Sequence, residues 1–236
     1  MSVIPDNPDT QEKAARELSQ QGYTRLPGFL EPEFAERLRR CLLDEVPWTL
    51  ACRTEEGSQT IPNDRYTSMG EYAAETLYSS IQAAASTDFG FAYESYMMVP
   101  AYLEKRDPGL LLHQLLEFLN HPQTLARLAA VTGDSTVARL DAQATCYRSG
   151  HFLRYHNDLA EGESRRFAFV LNLSQNWQAD WGGLLQILDG RHEVVATLMP
   201  AYNSLTLFRV PLEHCVSMVT PFATEPRLAI TGWLRQ

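Results

Sequence analysis

Residues 137–174 read VARLDAQATCYRSGHFLRYHNDLAEGESRRFAFVLNLS, and this stretch decides the kind of fold the chain adopts. It holds the short runs Val137–Tyr147, Phe152–His156 and Arg166–Ser174, rich in β-branched, aromatic and small apolar residues and divided by the turn former Ser149-Gly150 and by the polar residues 160–164. Runs of that length and composition between turn formers read as strands. The pattern continues through Leu184–Leu188, Glu193–Met199, Leu205–Val210, Cys215–Val219 and Leu228–Leu234, punctuated by Gly182-Gly183, Asp189-Gly190 and Tyr202-Asn203. Eight short strands spaced at roughly 10 residues predict a sandwich or barrel, not a parallel α/β sheet.

Upstream of residue 134 the period changes to helical. Asp9 or Thr10 is expected to cap a first helix ending before Gly22, and Pro32 stands where a first helical turn tolerates it, with Phe34, Leu38, Cys41 and Leu42 on one face. Met69, Tyr72, Ala73, Leu77 and Ile81 recur at similar spacing over 68–86, and Leu110–Leu119 and Thr124–Val131 form a helix pair broken at His121-Pro122 and stopped by Gly133. Short extended segments fall at Tyr23–Leu26, Trp48–Cys52 and Phe89–Met97, whereas Thr54–Arg65 and Val99–Pro108 read as loops, of the length that often serves as a lid. The expectation is an α+β fold: a mainly helical lobe with short strands over 1–133 packed on one sheet of a jelly-roll core over 134–236, the two forming one integrated domain.

Composition bounds the function. A 236-residue chain, 44% hydrophobic and 21% charged, can bury about 70% of its unfolded surface, so it needs no disulfide or structural metal to fold, and a metal site in it reads as chemistry. Twenty basic against 29 acidic residues give a net charge of −9, and no block of five Lys or Arg occurs, which disfavours nucleic acid and anionic membranes as partners. Cys41, Cys52, Cys146 and Cys215 form no CxxC pair and read as reduced thiols. The amino-terminal MSVIPDNPDTQEKAARELSQQG lacks the order of a signal peptide and no apolar run approaches 18 residues, so a soluble, cytoplasmic protein is expected.

The chemistry concentrates in four residues. His156-Asn157-Asp158 closes a strand, where positions i and i+2 share a face, so imidazole and carboxylate can reach one point. His214 begins another strand. Two histidines and one carboxylate on one face of iron leave positions open for a bidentate cosubstrate and O₂. Arg227 enters the last strand, and its planar fork suits a carboxylate buried beside a metal. Taken singly, each is more often a surface or structural side chain, and an H-x-[DE] arises by chance in about half of chains of this composition. Order and context carry the reading: H-x-D at a strand end, then a W-x-x-x-W-G-G turn, a histidine and an arginine in the final strand.

On these residues, and on ATCYRSGHFLRYHND, RRFAFVLNLSQNW, DWGGLLQI, PLEHCV and RLAITGWL between about Ala138 and Arg235, the chain resembles the iron(II)/2-oxoglutarate-dependent oxygenases, in their prolyl-hydroxylase-like branch. LPGFLEPEFAERL is similar to the helix that leads into many members. The resemblance implies a double-stranded β-helix of cupin-like type, with His156, Asp158 and His214 as iron ligands and Arg227 pairing with the distal carboxylate of 2-oxoglutarate. It implies Tyr147 lining the cosubstrate pocket, and Thr231, four residues after Arg227 on the same strand face, bonding to cosubstrate or water. Where several relatives place a tyrosine before Trp177, the nearest equivalent here is Asn172, whose amide can still donate to the cosubstrate. The implied reaction consumes Fe(2+)-bound 2-oxoglutarate and O₂, releases succinate and CO₂ and hydroxylates an unactivated C–H bond, with L-ascorbate dependence common in the branch and no side-chain general base. A prolyl residue in a protein or peptide is the implied substrate; a free amino acid or small metabolite, or a non-catalytic jelly-roll module that binds a ligand, are the alternatives.

The remaining features carry bland readings. His151 offers a competing set with His156 and Asp158, His113 and His121 fall on or between helices, and His192 follows a hairpin turn. Cys215 faces away from its neighbour His214 as a packed thiol. Trp177, Trp181 and Trp233 are expected to pack in the core, with Trp181 able to border the entrance, and Arg165-Arg166 reads as a solvated pair that can attract an acidic or peptide substrate. Thr54–Arg65 and 160–164 are the candidate lids.

Overall fold

Period-two burial sorts the side chains of the C-terminal strands onto two faces, and that sorting positions the site. The computed structural model describes residues 8–236. Along the N-terminal part lie α1 (Pro8–Gln21), β1 (Tyr23–Pro27), α2 (Pro32–Asp44), β2 (Thr49–Thr54), β3 (Gly57–Pro62), α3 (Asn63–Thr67), α4 (Glu71–Thr87), β4 (Phe91–Met97), α5 (Met98–Leu103), α6 (Leu111–Leu119) and α7 (Pro122–Thr132). Then come β5 (Arg139–Tyr147), β6 (Phe152–His156), β7 (Arg165–Asn172), β8 (Leu185–Leu188), β9 (Val194–Leu198), β10 (Ser204–Arg209), β11 (His214–Val216) and β12 (Arg227–Arg235).

In β5, Leu140, Ala142, Ala144 and Cys146 join the main core, as do Phe167, Phe169 and Leu171 of β7 and Leu228, Ile230 and Leu234 of β12. Their alternates, Gln143, Thr145 and Tyr147, then Ala168 and Val170, then Arg227, Thr231 and Trp233, line a cavity on the other side. Helices supply the opposite half of the core, with Leu18 of α1, Leu38 and Leu42 of α2, Leu112, Leu115 and Leu119 of α6 and Leu128 of α7 fully buried there. This cluster holds more buried apolar side chains than the other clusters of the described residues, and each Å² it removes from water stabilises the fold by about 25 cal/mol.

The strands hydrogen-bond in the order β1-β10-β7-β12-β5-β4-β6-β11-β8-β9, with β2 pairing to β3 and β4. All of these pairings are antiparallel. Strands from opposite arms of this path, β5, β7 and β12 on one side and β6, β8 and β11 on the other, line the same cavity, so the sheet curls into a jelly-roll, the double-stranded β-helix with helices behind one face. β1 to β4 enter the same sheet as β5 to β12, and Tyr23 lies opposite Phe208. Gly232 permits the close approach of β12 to β5, because a Cβ there would overlap the Asp141 carbonyl and the Phe169 ring.

Several local expectations need correction. Asp9 and Thr10 lie within α1 instead of capping it, since the helix already runs from Pro8; the first seven residues of the amino-terminal segment lie outside those described. Thr54–Arg65 is no loop but the β2–β3 hairpin, turned at Gly57 with φ +113, followed by α3. Only Ile61 of β3 is buried, so the strand presents polar residues on both faces and hides its pattern. Val99–Pro108 contains α5, held by Met98 and Ala101 in the core. Tyr72 is 83% exposed because α4 begins at Glu71 and packs through Ile81 and Ala84 further along.

Candidate metal centre and its cavity

Antiparallel pairing of β11 with β6 sets His214 directly opposite His156 and brings their rings to 4.2 Å. In both, Nδ1 faces a backbone carbonyl, at 2.9 Å from Arg154 O and 2.7 Å from Leu212 O. A carbonyl only accepts, so Nδ1 carries the proton and the Nε2 lone pairs point away from the backbone. They point to Asp158: His156 Nε2 is 3.4 Å from Oδ1 and His214 Nε2 is 3.6 Å from Oδ2. Asp158 does not sit in the strand with His156, as i and i+2 alternation supposed. β6 ends at His156, and Asp158 adopts φ +62, a left-handed conformation that turns its carboxylate back toward the imidazoles. One ligand atom from each of the three lies within 4.8 Å of the others, a donor set of two imidazoles and one carboxylate that suits a divalent metal with open positions.

The electrostatics agree with that use. Burial, with the neighbouring His156 ring, pushes the His214 imidazole down to about 4, so it is neutral with a free lone pair at physiological pH. Burial alone would raise the Asp158 carboxyl, but the His156 and His214 rings beside it hold it below the usual range. The indole N–H of Trp233, buried without a partner at hydrogen-bonding distance, lies close enough to Asp158 to favour the same ionised form.

These groups stand in a cavity of about 510 Å³ that also reaches Tyr147, Arg227 and Thr231. Arg227 is 2% exposed, its Nε has no hydrogen-bond partner, and it forms no ion pair with a described carboxylate. Its guanidinium lies 5.0 Å from the ring of Tyr147, the residue opposite it in β5, which stacks at 5.1 Å on Tyr93. Burial lowers the Arg227 pKa and raises that of Tyr147, leaving one buried cation and one neutral phenol. An unpaired buried guanidinium is costly, and its planar fork is of a shape that can pair with a carboxylate.

Asn172 is buried at the last position of β7, its amide at 3.5 Å from the Val170 carbonyl, and it is not among the residues that line the cavity, which Ala168 and Val170 do from the same strand. His151 is also excluded from the donor set: its Nδ1 accepts from Arg148 N at 3.0 Å, which turns the ring away. His121 caps α7 by accepting from Gln123 N, His113 packs on Tyr102, and His192 is exposed against Tyr155. Cys215 faces Gln186, and Trp181 packs on Trp177 away from the cavity. Trp233, assigned above to the core, and Arg165, assigned above to a solvated pair, both line the cavity; only the alternation of β12, which puts Trp233 on the face of Arg227 and Thr231, could have signalled this. Phe89, Tyr155 and Leu159 complete its mouth.

Comparisons with known proteins agree with the geometry. Residues 142–235 match the sequence profile of the 2OG-Fe(II) oxygenase superfamily. The mouse protein named prolyl 3-hydroxylase OGFOD1 is 36% identical over 115 residues, 46% of this chain and 21% of that protein. Prolyl 3,4-dihydroxylase OGFOD1 of Ostreococcus tauri is 28% identical over 134 residues, 52% of this chain and 26% of that protein. The match thus spans about a quarter of these relatives' lengths. A Pseudomonas putida prolyl-4-hydroxylase superposes with a TM-score of 0.60 at 18% identity, covering 96% of this chain and 98% of its own. A Trichoplax adhaerens prolyl hydroxylase, solved with a hypoxia inducible factor peptide fragment, gives 0.65 at 15% identity, covering 96% and 90%. The stretch that carries His156, Asp158, His214 and Arg227 lies wholly inside the matched region, so over its C-terminal part this chain is similar to the 2OG-Fe(II) oxygenase superfamily, and its fold is that of the prolyl hydroxylase structures.

Proposed function

We propose that this chain is an iron(II)- and 2-oxoglutarate-dependent dioxygenase that hydroxylates a prolyl residue of a protein or peptide. The observation that carries the reading is the pairing, in one cavity, of a convergent His-Asp-His donor set with a fully buried guanidinium that lacks a counterion. His156 and His214 would hold iron through Nε2 and Asp158 through its carboxylate, while Arg227 would grip the distal carboxylate of 2-oxoglutarate with its fork. Tyr147 shapes the cosubstrate end, and Thr231 offers a hydroxyl on the same face of β12 to cosubstrate or water. Phe89, Tyr155 and Trp233 give the cavity aromatic surface against which a substrate can pack. When bound, iron and 2-oxoglutarate supply the oxidising chemistry, converting O₂ and 2-oxoglutarate to succinate and CO₂ with one oxygen placed on the substrate carbon; the side chains fix geometry and need supply no general base.

Proline as target rests on the relatives and on the peptide held by the Trichoplax neighbour. Three buried free thiols and one half-buried one fit a reducing compartment such as the cytoplasm, and among the described residues no helix is long and apolar enough to cross a membrane. The test is anaerobic loading with iron(II) and 2-oxoglutarate, with and without ascorbate, followed by O₂ and measurement of succinate. Slow uncoupled turnover is expected from the intact protein and none from His156→Ala. Absence of both 2-oxoglutarate binding and turnover in the unsubstituted chain would point instead to a ligand-binding module, and a gain of one oxygen on a free amino acid but on no peptide would favour a small-molecule hydroxylase.

A further inference from the structure

Asp158 occupies a backbone conformation that non-glycine residues rarely adopt, and something must hold it there. Two bonds do. Asn157 Oδ1 accepts from Leu159 N at 3.1 Å, closing the turn locally, and the carbonyl of Asp158 itself accepts from Arg165 Nη1 at 3.1 Å. Arg165 is fixed in turn. Its guanidinium lies 3.7 Å above the Trp233 ring, and its Nε donates to Glu163 Oε2 at 2.6 Å. The same Glu163 oxygen accepts from Arg235 Nη2 at 2.8 Å, and Arg235 also pairs with Asp141. Arg165 thus ties the turn carrying Asp158 to β12, the strand that carries Arg227, Thr231, Trp233 and Arg235.

We infer that Arg165 is a positioning residue of the metal centre: by bonding the Asp158 carbonyl and stacking on Trp233, it locks the carboxylate at the point where the two Nε2 atoms converge. The inference rests on the donor set proposed above and adds a residue that touches neither metal nor cosubstrate. Lysine is no substitute, since one ammonium can reach the carbonyl or cover the ring but lacks the flat fork that does both. Arg166, the next residue, turns outward to Asp134 and takes no part.

Mn(II) affinity of the full chain, read from loss of the free-ion electron paramagnetic resonance signal, tests this beside thermal unfolding of the same samples. Arg165→Ala should weaken Mn(II) binding about 10- to 100-fold, the usual effect of losing a partner that orients a metal ligand. Arg165→Lys should recover part of the loss, and Arg166→Ala should bind like the unsubstituted protein. A merely structural role would lower the unfolding temperature and leave affinity in the folded protein unchanged, and that result overturns the inference. If Arg165→Ala does not fold, Arg165→Lys decides by the same comparison: weakened binding supports the role and unchanged binding refutes it. An unsubstituted chain that binds no Mn(II) would instead remove the metal centre itself, which separates the two failures.

Discussion

Replacing Arg227 by methionine should make the metal-free, cosubstrate-free protein more stable while destroying its response to 2-oxoglutarate. The guanidinium is 2% exposed with no ion pair to a described carboxylate, so in the empty protein its desolvation is offset only by Tyr147, 5.0 Å away. That cation–π contact is worth about 0.5–2 kcal/mol, and exchanging buried charge for apolar volume gains about 1–4 kcal/mol in other proteins, so a net gain centred near about 1 kcal/mol, and at most about 3.5, is expected. In a chain of this size that raises Tm by about 2–4 °C per kcal/mol. With 2-oxoglutarate present the ranking reverses. Losing one partner of a buried charge pair costs about 2–5 kcal/mol, a fall in affinity of about 30-fold to several thousand-fold. Calorimetric unfolding with Mn(II), with and without cosubstrate at 100 times the dissociation constant of the unsubstituted protein, should give that protein about 2.7 kcal/mol of stabilisation and Arg227→Met almost none. A metal-free Arg227→Met protein less stable than the parent by more than about 1 kcal/mol, or one that keeps the parent's response to 2-oxoglutarate, would refute the assignment of this cavity end to a carboxylate.

Other outcomes follow from the same geometry. His214→Ala should abolish Mn(II) binding at concentrations that saturate the parent, whereas Cys215→Ser, on the opposite face of β11, should leave it within about twofold, as titration of both variants will show. Because the folded protein holds His214 down to about 4 while the unfolded chain titrates near 6.5, the unfolded state binds more protons between those values; stability of the metal-free protein should therefore fall by up to about 3 kcal/mol as pH drops from 7 to 4, measurable by urea unfolding across that range. Gly232→Ala forces a methyl onto the Asp141 carbonyl and should cost at least about 1–3 kcal/mol by parting β12 from β5; an unchanged unfolding temperature would mean that the strands are free to shift.

The candidate site was legible in part because its chemistry is encoded in residue type at fixed offsets. His156, Asp158, His214 and Arg227 could be singled out from H-x-D and from their order along β runs, and the structure brings all four to one cavity. Asn172 does not line the cavity, because how far the cavity reaches along β7 depends on where that strand ends against β10 and β12. Beyond the alternation of β12 that puts Trp233 on the face of Arg227, no local pattern records the contact of Arg165 with Trp233, because it joins residues far apart in sequence. The same reason hides β3, whose mostly exposed strand has no apolar stripe.

What the sequence determined by itself was the pair of periods: 3.6 residues in α2, α6 and α7, and two in the strands from β5 onward. Those periods fix which side chains face the helices and which face the cavity, because alternation follows from backbone geometry alone. Tertiary structure decided the rest. Cross-strand pairing over 58 positions put His214 opposite His156, the left-handed backbone at Asp158 aimed its carboxylate, and curling of the sheet buried Arg227 beside them. Each depends on hydrogen bonds between distant segments, whose register is set by the burial of whole faces and not by any residue's neighbours in the chain.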